Sequence, residues 1–358
     1  MFIKIEKDIF DVVLQEQRSK IRERAVDVIV QLMTSSRMGL HKVYMKIPLT
    51  KEEEEIIKMA LDENSRREFM KLLRERIDFE GLVSILDVYA VITNSKHCSR
   101  VGKTLILNPF EADDFLLSIE TYLATENQRD SLFYKNIAEY FKRNNKLSHV
   151  GINYRPYKGG GSDFGNTLQS DDILKRNFVF AIADSDKHFP KDKIGKTAKS
   201  IKFIGHNKYN ADHYILNHVM EAENLIPYEL IKNEHSDFTN IAMYDLSYFD
   251  FKEGLKHTIL YEKQSRYYWK NNFTNLVIDW KEVEELVHTS STMSDYFDKV
   301  RGKEVLVPGY GSKLLESYLN NEKRGNLKDE DLTEAQLNEW KEIGKKVFSW
   351  TCCSMRKA

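Results

Sequence analysis

Residues 176–186 read RNFVFAIADSD. Phe178 to Ala183 form an unbroken apolar run, the mark of a strand buried on both faces of a parallel sheet. Asp184 and Asp186 follow at once, and the alternation of an extended chain points both side chains the same way. Like charges held that close repel unless something positive lies between them. The question is what else in the chain reaches this point.

Upstream, SIETYLATEN (118–127) reads as an earlier strand and SLFYKNIAEYFKR (131–143) as a helix with Leu132, Phe133, Ile137 and Tyr140 along one side. LSHVGINYRPY (147–157) is strand-like, and KGGGSDFGN (158–166) suits the interior of neither element. Strand, helix, strand and buried strand in this order predict a βαβ-type α/β domain over 106–235. To its N-terminal side, LTKEEEEIIKMALD (49–62) offers Thr50 and Glu53 at capping-box spacing, and NSRREFMKLLRERI (64–77) offers Ser65 and Glu68. Apolar residues recur at helical intervals over 8–33, so 1–105 is expected to be a helical region. Residues 236–358 are expected to be mainly helical. They include the aromatic YEKQSRYYWKNNFTNLVIDW (261–280) and a closing LTEAQLNEWKEIGKKVFSW (332–350) with a Thr333–Gln336 capping box.

Composition excludes several function classes. The 358 residues carry 54 Lys plus Arg against 55 Asp plus Glu, so any attraction to a polyanion must be local. No apolar run approaches the roughly 20 residues of a membrane helix. MFIKIEKDIFDVV lacks the basic-then-apolar order of a secretory signal, so a cytoplasmic protein that does not engage a membrane is expected. Cys98, Cys352 and Cys353 make no CxxC pair and read as reduced thiols, which disfavours zinc.

Functional groups of open parallel sheets gather beyond the carboxyl ends of the strands. By that rule Glu126, ending the first strand, joins Asp130 one helical turn later and the pair Asp184 and Asp186. In HYILNHVMEAENLIP (213–227), Glu221 and Glu223 stand two apart and share a side if the segment is extended. An oxygen-only set of this kind suits Mg²⁺ or Mn²⁺. Against this stands the ordinary role of a DxD pair as turn or cap residues. Lys187, Lys191, Lys193 and Lys196, continued by Lys199 and Lys202 and opposed only by Asp192, form a lysine-rich lip suited to a phosphate-rich substrate, or else a solvated loop. Gly159–Gly161 reads as a turn in preference to a phosphate cradle. His206, His213 and His218 match no zinc motif. Tyr267, Tyr268 and Trp269 read as packing, with stacking on bases as the alternative.

Glu126 with Asp130, the Gly-rich segment, AIADSD and then EAENLIP together resemble the Toprim domain, in particular the Toprim nucleases of bacterial phage defence, those of the OLD type and their stand-alone relatives. The resemblance covers about residues 115–230. It implies a central Toprim-like parallel-sheet domain flanked by mainly helical N- and C-terminal regions. It further implies Mg²⁺-dependent hydrolysis of phosphodiesters in DNA or RNA. Glu126 would be the acid–base or metal-linked glutamate and Asp184 and Asp186 metal ligands, with Asp130 and Glu223 completing a second metal position. Such relatives often work beside an ATPase, so a separate ATPase or other regulatory partner is expected. Two other readings stand beside this one: a non-catalytic regulatory or partner-binding protein with a degenerate Toprim core, and another phosphate-handling enzyme.

Overall fold

The computed structural model describes all residues except 16–18, 46, 76–78, 113, 171, 205–207, 275–276, 322–324 and 356–358. The chain folds as two compact units. The first comprises 1–182, 200–214 and 341–358, and the second comprises 183–199 and 215–340. Where three sequential regions were expected, the two units are interleaved along the chain.

Among the described residues the first unit holds two larger sheets and a separate two-stranded pair. One is built from β1 (Phe2–Ile5), β2 (Lys42–Tyr44), β3 (Tyr89–Ile92), β4 (Ser99–Val101) and β5 (Thr104–Leu107), in the order β2-β1-β3-β5-β4. All pairings are parallel except β4 with β5, and the register sets Phe2 opposite Lys42 and Ile3 opposite Ala90. The region 1–105, expected to be helical, therefore also contains a five-stranded sheet. The helices are there, at Lys7–Gln15, Lys20–Arg37, Lys51–Ala60, Glu63–Arg74 and Phe79–Ile85. They accompany a sheet whose strands are only three or four residues long and pair across tens of residues, leaving little periodic signal in sequence.

Local helix chemistry follows expectation at Thr50, whose Oγ1 accepts from Glu53 N (3.2 Å) while Glu53 Oε2 accepts from Thr50 N (2.6 Å). It departs at Ser65. Asp62 caps that helix instead, accepting from Asn64 N and Ser65 N at 2.9 and 3.1 Å, because an ionised carboxylate placed just before the first turn is the stronger acceptor. Glu68 is buried and accepts from Ser36 Oγ at 2.8 Å.

The other sheet contains β6 (Tyr122–Thr125), β8 (Arg155–Lys158), β9 (Val179–Ala183) and β10 (Ala211–Ile215), ordered β10-β9-β6-β8, while β7 (Val150–Ile152) pairs antiparallel with Cys352–Ser354. β6 runs parallel to both β8 and β9, with the helix Gln128–Asn144 on the connection from β6. Every residue of β9 is buried, as its continuous apolar run requires. Trp350 stacks on Phe180 at 5.8 Å between centroids and 9° between planes, closing the core over β9. From β6 the chain goes to β8 on one side and later to β9 on the other, so the order reverses between β6 and β9. Ligands of open α/β sheets bind outside the carboxyl ends at such a reversal.

The second unit is built from short helices, 3₁₀ turns and one antiparallel pair, β11 (Gly254–Lys256) with β12 (Val305–Pro308). An aromatic cluster organises it: Phe249 packs edge-on to Phe251 at 5.4 Å, and Phe238 packs edge-on to Tyr228 and Tyr310 at 5.4 and 5.3 Å. Among the described residues no helix is long and apolar enough to cross a membrane.

Candidate functional site

The chain leaves β9 through Ala183 into Asp184-Ser185-Asp186, and Ser185 is the anchor of this turn. It is fully buried, its Oγ donates to Val219 O (2.7 Å), and its N–H donates to Met220 O (2.8 Å). Anchoring the middle residue turns both flanking aspartates away from the core. Asp184 Oδ1 accepts from Ala222 N at 3.0 Å. Asp186 sits in the left-handed region at φ 54°, a conformation shared among the described non-glycine residues only by Lys146. Aspartate tolerates it better than most residues, and such backbone is retained where surrounding contacts hold it. Here the hold comes from Asp186 N–H donating to Met220 O (3.2 Å) and from Gly195, where a Cβ would lie 1.8 Å from Asp186 Oδ2. Partial desolvation raises the Asp186 carboxyl, with His188 and Lys252 pulling the other way.

Glu221 and Glu223 flank the start of a 3₁₀ turn, Ala222–Leu225. The segment is not the extended one on which their shared side was expected, because Asn224 winds it: its Oδ1 accepts from Glu221 N and its Nδ2 donates to Leu246 O and Phe249 O, each at 2.8 Å. Gln336 Nε2 donates to Asn224 O and Ile226 O at 2.9 and 2.8 Å, and Trp340 Nε1 donates to Leu225 O at 2.9 Å. The two glutamates converge all the same, on Lys252. Its Nζ lies 2.8 Å from Glu221 Oε2 and 3.2 Å from Glu223 Oε1.

Lys252 is the member of this candidate site that sequence reasoning missed. Its local context, SYFDFKEG, carries no motif, and only the fold of 246–254 brings it here. Burial pulls its ammonium down, and Glu221, Glu223 and Asp184 more than offset that, so its pKa ends above the ordinary lysine value. Burial, and after it the charge of Glu223, pushes the Glu221 carboxyl up to about 8 against the opposing pull of Lys252. Glu221 is 6 % exposed, and its Oε1 is buried with no hydrogen-bond partner among the described residues. A desolvated carboxylate oxygen that accepts nothing is costly, of order 1–3 kcal/mol.

The remaining expected site residues fall out differently. Asp130 is buried in the first unit, and its Oδ2 accepts from Asn127 N (2.9 Å), a helix-start bond that explains its spacing from Glu126. Glu126 follows β6 in that same unit and is partly buried. Gly159 N–H donates to Thr125 O at 2.7 Å, continuing the β8–β6 ladder, and the left-handed Gly160 and Gly161 then turn the chain. His213 Nδ1 pairs with Ile204 O at 2.7 Å, and His206 lies outside the described residues. Among the described residues, no three of His, Cys, Asp or Glu are arranged as a ready-made metal ligand set.

The lysine-rich loop belongs to the second unit together with the aspartates. Lys191, Lys193, Lys196 and Lys199 are exposed, and none of them, nor Lys187, makes an ion pair among the described residues. Asp192 is turned inward to its own turn, accepting from His188 N (3.0 Å) and Lys193 N (2.7 Å), which leaves the lysines unopposed. Comparison with protein-family models, with curated proteins and with solved structures gives no match to this chain.

Proposed function

We propose that this chain is a metal-dependent nuclease whose second unit carries the cation on Asp184, Asp186, Glu221 and Glu223. The observation that supports it most is the buried, unpartnered Glu221 Oε1 within a carboxylate group that a single ammonium neutralises incompletely. All donors are oxygens, which suits a hard divalent cation, Mg²⁺ or Mn²⁺. When bound, such an ion activates water and stabilises the departing oxygen of a phosphodiester.

The chain's own residues have separable parts in this reading. Ser185 and Gly195 fix where the two aspartates stand. Lys252 draws Glu221 and Glu223 to one point and offers positive charge where phosphate charge would arrive. Lys187, Lys191, Lys193 and Lys196 attract the polyanion. The Toprim resemblance alone assigns a role to Glu126, which lies in the first unit. The cytoplasmic phage-defence setting and a separate ATPase or other regulatory partner rest on the same resemblance.

A second reading, a non-catalytic regulatory core, draws on the absence of a ready-made ligand triad among the described residues. One assay separates the two. Purified protein is incubated with labelled single- and double-stranded DNA and RNA in Mg²⁺, Mn²⁺ or EDTA. The nuclease reading expects cleavage that needs the metal and is lost in Asp184→Asn. No cleavage of any substrate in either metal overturns it.

A further inference from the structure

We propose that a cleft in the second unit, between the helix Lys263–Asn272 and the lysine-rich loop, binds one unstacked nucleobase and its phosphate from a single strand. The inference rests on the nucleic-acid reading above and names a site apart from the carboxylates.

The helix supplies one wall. Lys263, Gln264, Tyr267, Tyr268 and Asn271 recur at spacings of three and four and share a face. The opposite face is core, with Trp269 fully buried and Ser265 at 1 % exposure. Phe189, Pro190 and Lys191 supply the facing wall, and the cleft encloses about 810 Å³. The two walls are joined by Trp269 Nε1, which donates to His188 O at 3.0 Å. The floor is fixed as well. Tyr268 OH donates to Asp245 Oδ2 (2.8 Å) and its ring packs edge-on to Tyr248 at 6.0 Å. Asp245 N donates to Asn272 Oδ1 (3.1 Å), and Asn272 Nδ2 returns a bond to Asp245 O (2.5 Å).

What projects into this rigid frame is unused. Tyr267 is 72 % exposed, an uncommon state for a tyrosine on a well-packed helix. Lys191, Lys263, Gln264 and Asn271 are exposed too; among the described residues neither lysine makes an ion pair and neither carboxamide a side-chain hydrogen bond. The chemistry is complementary to a nucleotide in three respects. A free aromatic face stacks on any base, two carboxamides offer both donors and acceptors to a base edge, and two lysines meet a phosphate. A base within a duplex is already stacked on its neighbours, so a ring presented in a cleft selects unpaired strands. The cleft also shares Lys191 with the loop that follows Asp186, so a strand held here passes along the other unpaired lysines.

The test is binding of 5′-labelled 12-mer oligo(dA) and oligo(rA), measured by fluorescence anisotropy in EDTA so that no cleavage intervenes. Tyr267→Ala should weaken binding by about fivefold or more, since stacking on one aromatic ring carries an effect of at least that size. Tyr267→Phe should retain it, and a duplex of the same length should not respond to either change. Exposure of Tyr267 means both variants fold, which far-ultraviolet circular dichroism checks. Equal binding of the single strands by wild type and Tyr267→Ala overturns the proposal, as does absence of binding by wild type. Adenosine monophosphate competing at the same concentration as the oligonucleotide also overturns it, since the source would then be a free nucleotide. The two proposals fail separately. Metal-dependent cleavage with unaltered Tyr267→Ala binding removes this cleft and keeps the nuclease, whereas a Tyr267 effect without any cleavage removes the nuclease and keeps the cleft.

Discussion

Asp130 of the first unit and Glu221 of the second unit are alike in sequence context. Each is a carboxylate near the start of a helical turn, and each is buried, at 8 % and 6 % exposure. Their surroundings differ in kind. Asp130 accepts from the backbone N–H of Asn127, so its burial is compensated by the helix start it stabilises. Glu221 shares one lysine with another glutamate and keeps one oxygen buried and unpartnered. Burial alone therefore does not tell the two carboxylates apart. What separates them is whether the bonds within the protein satisfy the group.

The sharpest way to break this contrast is through activity. Asp184→Asn and Asp186→Asn should each reduce metal-dependent cleavage about a hundredfold or more, because even outer partners of a metal site are worth ~10–100-fold. Both should melt close to wild type. Asp186→Gly, which relieves the left-handed backbone, should be no less stable than Asp186→Asn. A melt that collapses in Asp184→Asn and Asp186→Asn would move these residues into the structural class with Asp130.

Stability offers the next largest effect. Lys252→Met leaves Glu221 and Glu223 facing each other without a counter-ion. The side chain is about a third exposed, so the loss should be about 2 kcal/mol in urea unfolding, below the ~3–5 kcal/mol of a wholly buried pair. Millimolar Mn²⁺ should restore more of that stability in Lys252→Met than it adds to wild type, since the cation replaces the missing charge.

The dependence on pH distinguishes the two carboxylates further. With its folded-state pKa raised from 4.5 to about 8, Glu221 holds a proton in the folded protein that the unfolded chain has already lost. Stability without metal should therefore fall as pH rises from 4.5 through about 8 and level off above it. Glu221→Gln should remove most of that slope, and Asp130→Asn should leave it intact. A slope unchanged in Glu221→Gln would assign the titration elsewhere. Smallest of all is Asp130→Ala, expected to cost about 1 kcal/mol as the loss of a helix-start bond, with no change in metal response.

The lysine loop sharpens the comparison from the substrate side. Charge reversal at Lys191, Lys193 and Lys196 should weaken binding and flatten the log–log salt dependence by about 0.7–0.9 per lost phosphate contact. The rate at saturating substrate should fall less. An unchanged slope would make the loop a solvated one.

Legibility in the sequence tracked the range of the interactions. β9 was readable because five successive buried residues leave a continuous apolar run, and the Thr50 and Thr333 caps were readable because both partners lie within three residues. The sheet of 1–105 was not, since its short strands are defined by partners such as Ile3 and Ala90. At the site, all four carboxylates of the second unit were singled out from spacing and position after a strand. Lys252 was not, because it meets them only through the fold of the Phe249–Phe251 aromatic cluster. Asp130 was grouped with them on a spacing that is the same whether an i+4 carboxylate after a strand closes a helix start, as its bond to Asn127 does, or holds a cation.

The central claim is that the carboxylates of the second unit form a cation site, and its most direct test is calorimetric titration of Mn²⁺ at pH 8.5, where Glu221 is ionised. Wild type should bind Mn²⁺ with proton release that grows as pH is lowered toward 7, and Glu221→Gln and Asp184→Asn should lose that binding while Asp130→Asn keeps it. Binding that is absent in wild type, or equally strong in Glu221→Gln and Asp184→Asn, would contradict it.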